Sequence, residues 1–119
     1  MLLSEIKSIL NASVLSGETD EELGEKEISA AFGSDLMSDV LAFVKDQSLL
    51  LTGLINSQVI RTAEMMDLVA ICFVRGKVPT EDVIELAKEK GITLLATSLT
   101  LYTSSGKLYA EGIRGNSDD

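Results

Sequence analysis

From residue 47 onward the apolar positions alternate between two styles. Short unbroken runs at 49–51, 68–74 and 92–96 have the pattern of strands buried on both faces of a parallel sheet, where neither face tolerates polar side chains. Between these runs the spacing is helical. Val59, Ile60, Ala63 and Met66 share one face, while Arg61, Glu64 and Asp67 turn away from it. In the next interval Pro79 and Thr80 open a helix with Glu81 and Asp82 in its first turn, where acids suit the positive end of the helix dipole. Val83, Ile84 and Ala87 form its inner face, and Gly91 stands where a left-handed residue closes a helix. Residues 100–113 predict a last helix, with Gly106 and Gly112 as its weak points.

The first half is less regular. Residues 4–10 predict a short helix with Ile6, Ile9 and Leu10 inward, followed by a strand at 13–15. A second strand at 28–32 leads into a helix over 35–45, in which Leu36, Met37, Val40, Leu41 and Val44 recur at helical spacing and Ser34 is the expected cap. Strand and helix in alternation predict a three-layer α/β/α domain with a mostly parallel sheet of about five strands. The domain is expected to cover 1–114, with 115–119 (Gly-Asn-Ser-Asp-Asp) as a flexible tail that holds no apolar residue.

Composition then narrows the chemistry. The chain has 119 residues, 45% apolar and 24% charged, which suits one globular domain. A charge arrives at Glu5 and the longest apolar run is 7 residues, so neither a secretory signal nor a membrane span of about 20 residues is expected; the reading is cytoplasmic. Ten basic against 19 acidic residues give a net charge of -9, which disfavours nucleic acid and anionic membranes as partners. There is no histidine and one cysteine, Cys72, which removes an internal disulfide, His/Cys zinc sites, Ser-His-Asp triads and Cys-His pairs. Neither Gly-x-x-x-x-Gly-Lys-[Ser/Thr] nor a Gly-x-Gly-x-x-Gly after a strand occurs. No enzyme, cofactor or metal site is therefore expected; the competing reading is a small enzyme that uses a carboxylate pair in which Asp35, Asp39 or Asp67 meets another acid in space. The acidic run at 18–27 reads as a solvated loop, Cys72 as a small core residue, and Met37, Met65 and Met66 as core filler. Tyr102 and Tyr109, seven apart, either anchor a dimer or cover the sheet.

Ligands of open α/β sheets collect beyond the carboxyl ends of the strands. That rule selects Phe32-Gly33-Ser34-Asp35, Thr52-Gly53 with Asn56-Ser57, Arg75-Gly76-Lys77, and Thr97-Ser98 with Thr100. Arg75 and Lys77 flank a glycine in an otherwise acidic chain, so they are candidates to hold a phosphate or carboxylate, assisted by helix N-termini at Ser57 and Thr80. The competing reading is that both cations are solvated or paired with the abundant carboxylates. The hydroxyls and amides of Thr52, Asn56, Ser57, Thr97 and Thr100 either line the same crevice or serve as turn and cap groups.

Leu50-Leu51-Thr52-Gly53, the run from Val69 through Arg75-Gly76, the stretch from Pro79-Thr80-Glu81-Asp82 through Gly91-Ile92, and Leu94-Leu95-Ala96-Thr97 together resemble the DRTGG domain family over nearly the whole chain. They are more distantly similar to the amino-terminal domain of HPr kinase/phosphorylase. The opening, Glu5-Ile6-Lys7-Ser8-Ile9-Leu10-Asn11-Ala12, also looks like the start of the amino-terminal domains of Mur ligases. The resemblance implies a regulatory or accessory module that leaves the chemistry to other domains. The chain departs from the family wording: Thr-Gly-Leu-Ile-Asn stands at 52–56 where Asp-Arg is expected, only Gly76 is kept of Thr-Gly-Gly, and Leu99-Thr100 replaces Asp-Thr. Either the ligand has changed or the family site is lost. The expected function is a non-catalytic module that forms a homo-oligomer, a dimer, and binds a small anionic ligand, such as a phosphate-containing molecule, or a protein partner. The alternative is a docking subunit of a larger metabolic or redox complex without a small ligand, marked by an exposed patch at Leu99, Leu101, Tyr102 and Tyr109 with no formed pocket near Arg75.

Overall fold

The computed structural model describes residues 1–45 and 47–115. The elements in chain order are α1 (Leu3–Ile9), β1 (Ser13–Val14), α2 (Asp20–Leu23), β2 (Ala30–Gly33), α3 (Met37–Phe43), β3 (Ser48–Thr52), α4 (Ser57–Met65), β4 (Ala70–Phe73), α5 (Glu81–Glu89), β5 (Thr93–Ala96) and α6 (Leu101–Ala110). They build a five-stranded sheet in the order β1-β5-β4-β3-β2. β2 to β5 are parallel, and β1 adds an antiparallel edge to β5.

The three continuous apolar runs are the central strands, as their pattern predicts. Every residue of β3 and β4 is buried, and alternate side chains serve opposite faces. Leu50, Ile71, Phe73 and Leu94 point to one core, which the inner faces of α3, α4 and α5 close. Leu49, Leu51, Ala70, Cys72, Val74 and Leu95 point to a second core under α1, α2 and α6. The three layers follow from this division. α5 opens after Pro79 with Thr80 as its N-cap and ends at Lys90, after which Gly91 adopts φ 70°. Burial pushes the Cys72 thiol up to about 12, so it stays protonated as a small apolar filler.

Several boundaries and environments differ from the sequence expectation. The second strand spans Ala30–Gly33 rather than 28–32, because Ile28 is drawn into the core beneath Met1 and only the later residues pair with β3. The third helix starts at Met37 with Leu36 as its N-cap, not at 35 behind Ser34. Ser34 instead closes a tight turn on Leu36, whose N–H it accepts at 2.9 Å. The acidic run is not simply a solvated loop: Thr19 and Glu22 form a capping box that starts α2, and Leu23 buries itself completely. Met65 is 72% exposed, since helical phase turns it away from the face that Val59, Ile60 and Ala63 bury; Met37 is buried and Met66 partly so. The last helix ends at Ala110, where Gly112 turns the chain at φ 102°. Beyond Gly115, the expected tail lies outside the described residues.

Leu50 is wholly buried in the middle of β3, where three helices close over it. Replacing Leu50 with alanine is expected to lower unfolding free energy by about 2–5 kcal/mol, because the site is too enclosed to collapse. Urea unfolding followed by far-UV circular dichroism measures this directly; a loss under about 1 kcal/mol would contradict the packing described.

Candidate functional site

The carboxyl ends of β2, β3 and β4 deliver three consecutive loops to one edge of the sheet. From the β2–α3 loop, Asp35 reaches across to the β3–α4 loop. Its Oδ1 accepts from the Gly53 N–H at 2.7 Å and from Thr52 Oγ1 at 3.0 Å. From the β4–α5 loop, Arg75 brings Nη2 to 3.8 Å from Asp35 Oδ2, with both side chains nearly half exposed (46% and 48%). A Cβ on Gly53 would overlap the Arg75 guanidinium, so glycine is what permits this approach. Thr52 itself is buried; its hydroxyl donates to Asp35 and accepts from the Leu54 N–H at 3.1 Å.

The backbone of Arg75 is left-handed at φ 60°, followed by Gly76 at φ 70°. For a residue with a side chain this conformation costs on the order of 1 kcal/mol and must be held by its surroundings. The hold is visible. The Arg75 N–H donates to Leu99 O at 2.8 Å and the Gly76 N–H to Thr97 O at 3.0 Å. Those two amides are consumed, so Gly76 lends the loop its shape rather than a free cradle for an anion. Lys77 is exposed and makes no ion pair among the described residues.

The remaining sequence candidates divide. Asn56 is the N-cap of α4 and accepts from the Gln58 N–H at 3.1 Å. Asn56 and Ser57 line, with Ile55, Thr80, Asp82 and Val83, a cavity of about 330 Å³ between the N-termini of α4 and α5. Asp82 places a carboxylate there, and its hydrogen bond from Thr80 keeps the carboxyl below its ordinary pKa, so this cavity is poorly suited to an anion. Thr97 is not in the crevice: it is buried, donating to Leu10 O at 2.6 Å and accepting from the Leu99 N–H. Thr100 caps α6 by accepting from the Thr103 N–H. β5 sends its chain to the opposite face of the sheet, which is why Thr97 and Thr100 part from the others. Leu99 and Leu101 pack against the second core, so the proposed exposed patch contracts to Tyr102 and Tyr109.

Sequence reasoning placed Asp35 in the right loop but missed its part as the group that joins Thr52, Gly53 and Arg75. Its available signal was a polar Ser-Asp pair directly after a strand, which reads equally as a helix cap. A second polar network, also missed, lies at the other end of the sheet. Glu18 accepts from Ser16 Oγ and, at 2.6 Å, from Thr93 Oγ1, while Ser16 Oγ accepts the Leu94 N–H at 2.8 Å. Among the described residues no three His, Cys, Asp or Glu side chains are grouped to hold a metal ion, and no helix is long and apolar enough to cross a membrane.

The DRTGG domain family model matches residues 5–110, and the chain belongs to that family. Among solved structures, the fold is similar to the CBS and DRTGG domains of the regulatory region of Clostridium perfringens pyrophosphatase, determined with its activator diadenosine tetraphosphate. The TM-score is 0.70 at 16% identity, over 98% of this chain and 51% of that one. The chain thus spans about half the length of that regulatory region. No curated protein matches it.

The Glu18 network generates a pH dependence. Burial raises the carboxyl, but the bonds from Ser16 and Thr93, its own backbone and nearby Lys26 outweigh that and hold it below the usual value. A carboxyl depressed in the folded state stabilises fully above its unfolded pKa, and that contribution fades as pH falls through the folded value. Glu18→Gln is expected to lose on the order of 1 kcal/mol at about pH 7 and to approach the parent's stability at about pH 3. Denaturant titrations at both values test this; an equal deficit at both would remove the charge from the account.

Proposed function

We propose that the chain is a non-catalytic regulatory module that binds a small phosphate-bearing ligand at the carboxyl edge of its sheet and works as a pair of copies. The observation that carries the ligand reading is Arg75. A cation is held on a strained, doubly anchored backbone at the edge where α/β sheets take ligands, and among the described residues its single partner in an ion pair is a half-exposed carboxylate at 3.8 Å. Lys77, two residues on, adds a second exposed charge. The ligand-bound regulatory region of the pyrophosphatase supports the class of molecule: its activator is a dinucleoside polyphosphate. The sheet places no reversal of strand order among β2 to β5, so the seat is a cluster of loops rather than a deep crevice between diverging strands. That geometry suits phosphate recognition by contact.

The pairing reading rests on α6. Tyr102 is 89% exposed and Tyr109 53%, so neither covers the sheet. Between them Gly106 stands mid-helix with nothing within 4 Å of where a Cβ would be, so no contact among the described residues calls for glycine there. A mid-helix glycine costs about 1 kcal/mol against alanine and is repaid by close approach of another backbone. Tyr102, Ser105, Gly106, Tyr109 and Ala110 line a shallow groove with uncharged side chains in a chain of net charge -9, with the Arg114 guanidinium stacked 4.0 Å from the centre of the Tyr109 ring. Two such faces crossing antiparallel at Gly106 set each Tyr102 beside the other copy's Tyr109, which makes the patch its own complement. A foreign protein docking on α6 is the competing outcome.

A thermal-shift screen against nucleotides, dinucleoside polyphosphates, uridine-diphosphate sugars and simple anions is expected to give a concentration-dependent rise in Tm for a phosphate-bearing class. The Arg75→Ala/Lys77→Ala double variant is expected to keep the parent's Tm without ligand and to lose the rise. A rise preserved in that variant would move the site elsewhere, and a flat response across the panel would remove the ligand reading. Sedimentation velocity is expected to find a dimer at micromolar concentration that Tyr102→Asp converts to a folded monomer. A monomeric parent would leave the α6 face to another partner.

A further inference from the structure

The regulation of the Arg75 seat can be read from what already fills it, given the ligand reading above. A backbone N–H, a hydroxyl and a guanidinium converge on one point: the Gly53 N–H and Thr52 Oγ1 at 2.7 and 3.0 Å from Asp35 Oδ1, and Arg75 Nη2 at 3.8 Å from Oδ2. This is the donor set with which proteins hold a phosphate or carboxylate oxygen. The seat is occupied by the chain's own carboxylate. We propose that Asp35 is a built-in competitor, an internal oxyanion that a phosphate-bearing ligand displaces when it binds.

Two observations beyond the contacts support displacement rather than a fixed structural bond. The first is local. An aspartate just ahead of a helical segment ordinarily caps it, yet α3 begins behind Leu36 with no side-chain cap, and Leu36 is left 57% exposed. Asp35 bonds across the loops while the helix beside it goes uncapped. Once released, its carboxylate has a second use as the N-cap one residue earlier, which offsets part of the loss of the first. The second is the looseness of the ion pair. Both partners are nearly half exposed and 3.8 Å apart, so solvent and ligand reach them and little is lost when they separate. Gly53 keeps the approach open on the side where a Cβ would block it.

The test is isothermal titration of the full chain with inorganic pyrophosphate as the probe. Asp35→Asn retains an oxygen for the Gly53 N–H and Thr52 hydroxyl, removes the charge, and replaces the oxygen facing Arg75 with an amide NH2 that cannot pair with the guanidinium. It is expected to bind pyrophosphate about tenfold tighter than the parent or better, as fits the loss of a competing charge-assisted contact. Adding Arg75→Ala to it is expected to abolish the binding. Asp39→Asn removes an equal charge from α3 outside the cluster and is expected to leave the affinity unchanged. Parent and Asp35→Asn binding equally, with both losing affinity on Arg75→Ala, would overturn the competitor while sparing the ligand reading. Equal tightening by Asp39→Asn would also overturn it, by reducing the effect to net charge. No binding by the parent or by Asp35→Asn would remove both.

Discussion

The burial of both faces of β3 and β4 is the constraint from which the rest of the molecule follows. Strands whose every residue is buried must be central, and central parallel strands need a crossover helix between each pair. Because β2 to β5 lie in sequential order, α3, α4 and α5 all fall on one face. The other face is then left for α1, α2 and α6, the elements outside the crossovers. The same constraint assembles the site. Parallel strands end at one edge, and the register pairs Gly33 with Leu51 and Thr52 with Phe73. Asp35, Gly53 and Arg75, each one or two residues past such a pair, become neighbours although up to 40 positions separate them. A slip of one residue would turn Leu50 to the wrong core and carry Thr52 away from Asp35.

What was legible in the sequence is what local periodicity determines. Three apolar runs, two amphipathic intervals, the Pro79–Thr80 start and the Gly91 stop all read correctly, because each depends on residues within a turn or two of one another. Some failures have a cause of the opposite kind. Ser34 ahead of a helical pattern is a good cap by local rules, but Asp35 gains more from the Gly53 N–H 18 residues away, and the helix start yields by two residues. Met65 and Met66 are adjacent and equally apolar, but at 100° per residue Met66 falls beside the face of Val59, Ile60 and Ala63 while Met65 turns away from it, so reading both as core filler set composition above phase. Thr97 and Thr100 sit at a strand end like Thr52, yet the chain leaves β5 for the other face, a choice that strand-end rules do not contain. The Thr19–Glu22 capping box was in plain view but masked by the charge around it.

Net charge and local chemistry pull apart at the seat. A chain of charge -9 repels anions at a distance, but at physiological ionic strength that field decays over about 8 Å, so it governs approach more than affinity. Contact is set by who stands within hydrogen-bond reach. Near Arg75 the carboxylate in contact is Asp35, and it is the one already using the donors a ligand would need. For the proposed ligand, the acidic background would favour molecules that make several short bonds at once over singly charged solutes that rely on attraction from afar.

The strain at Arg75 fits this arrangement. Its backbone could relax only by releasing the bonds to Leu99 O and Thr97 O, which also fasten the β4–α5 loop to the turn after β5. The amides are thus fixed and the side chain is the part free to answer a ligand. Fixing the main chain in advance lowers the ordering loss when the guanidinium changes partner, since one flexible side chain rather than a loop must settle. Under the proposed displacement, such a seat would exchange one oxyanion for another with little movement elsewhere. In the proposed pair, a signal to the second copy would travel through the element that gives up its carboxylate. That element is α3 and the loop before it, where the cap is absent and Leu36 is exposed.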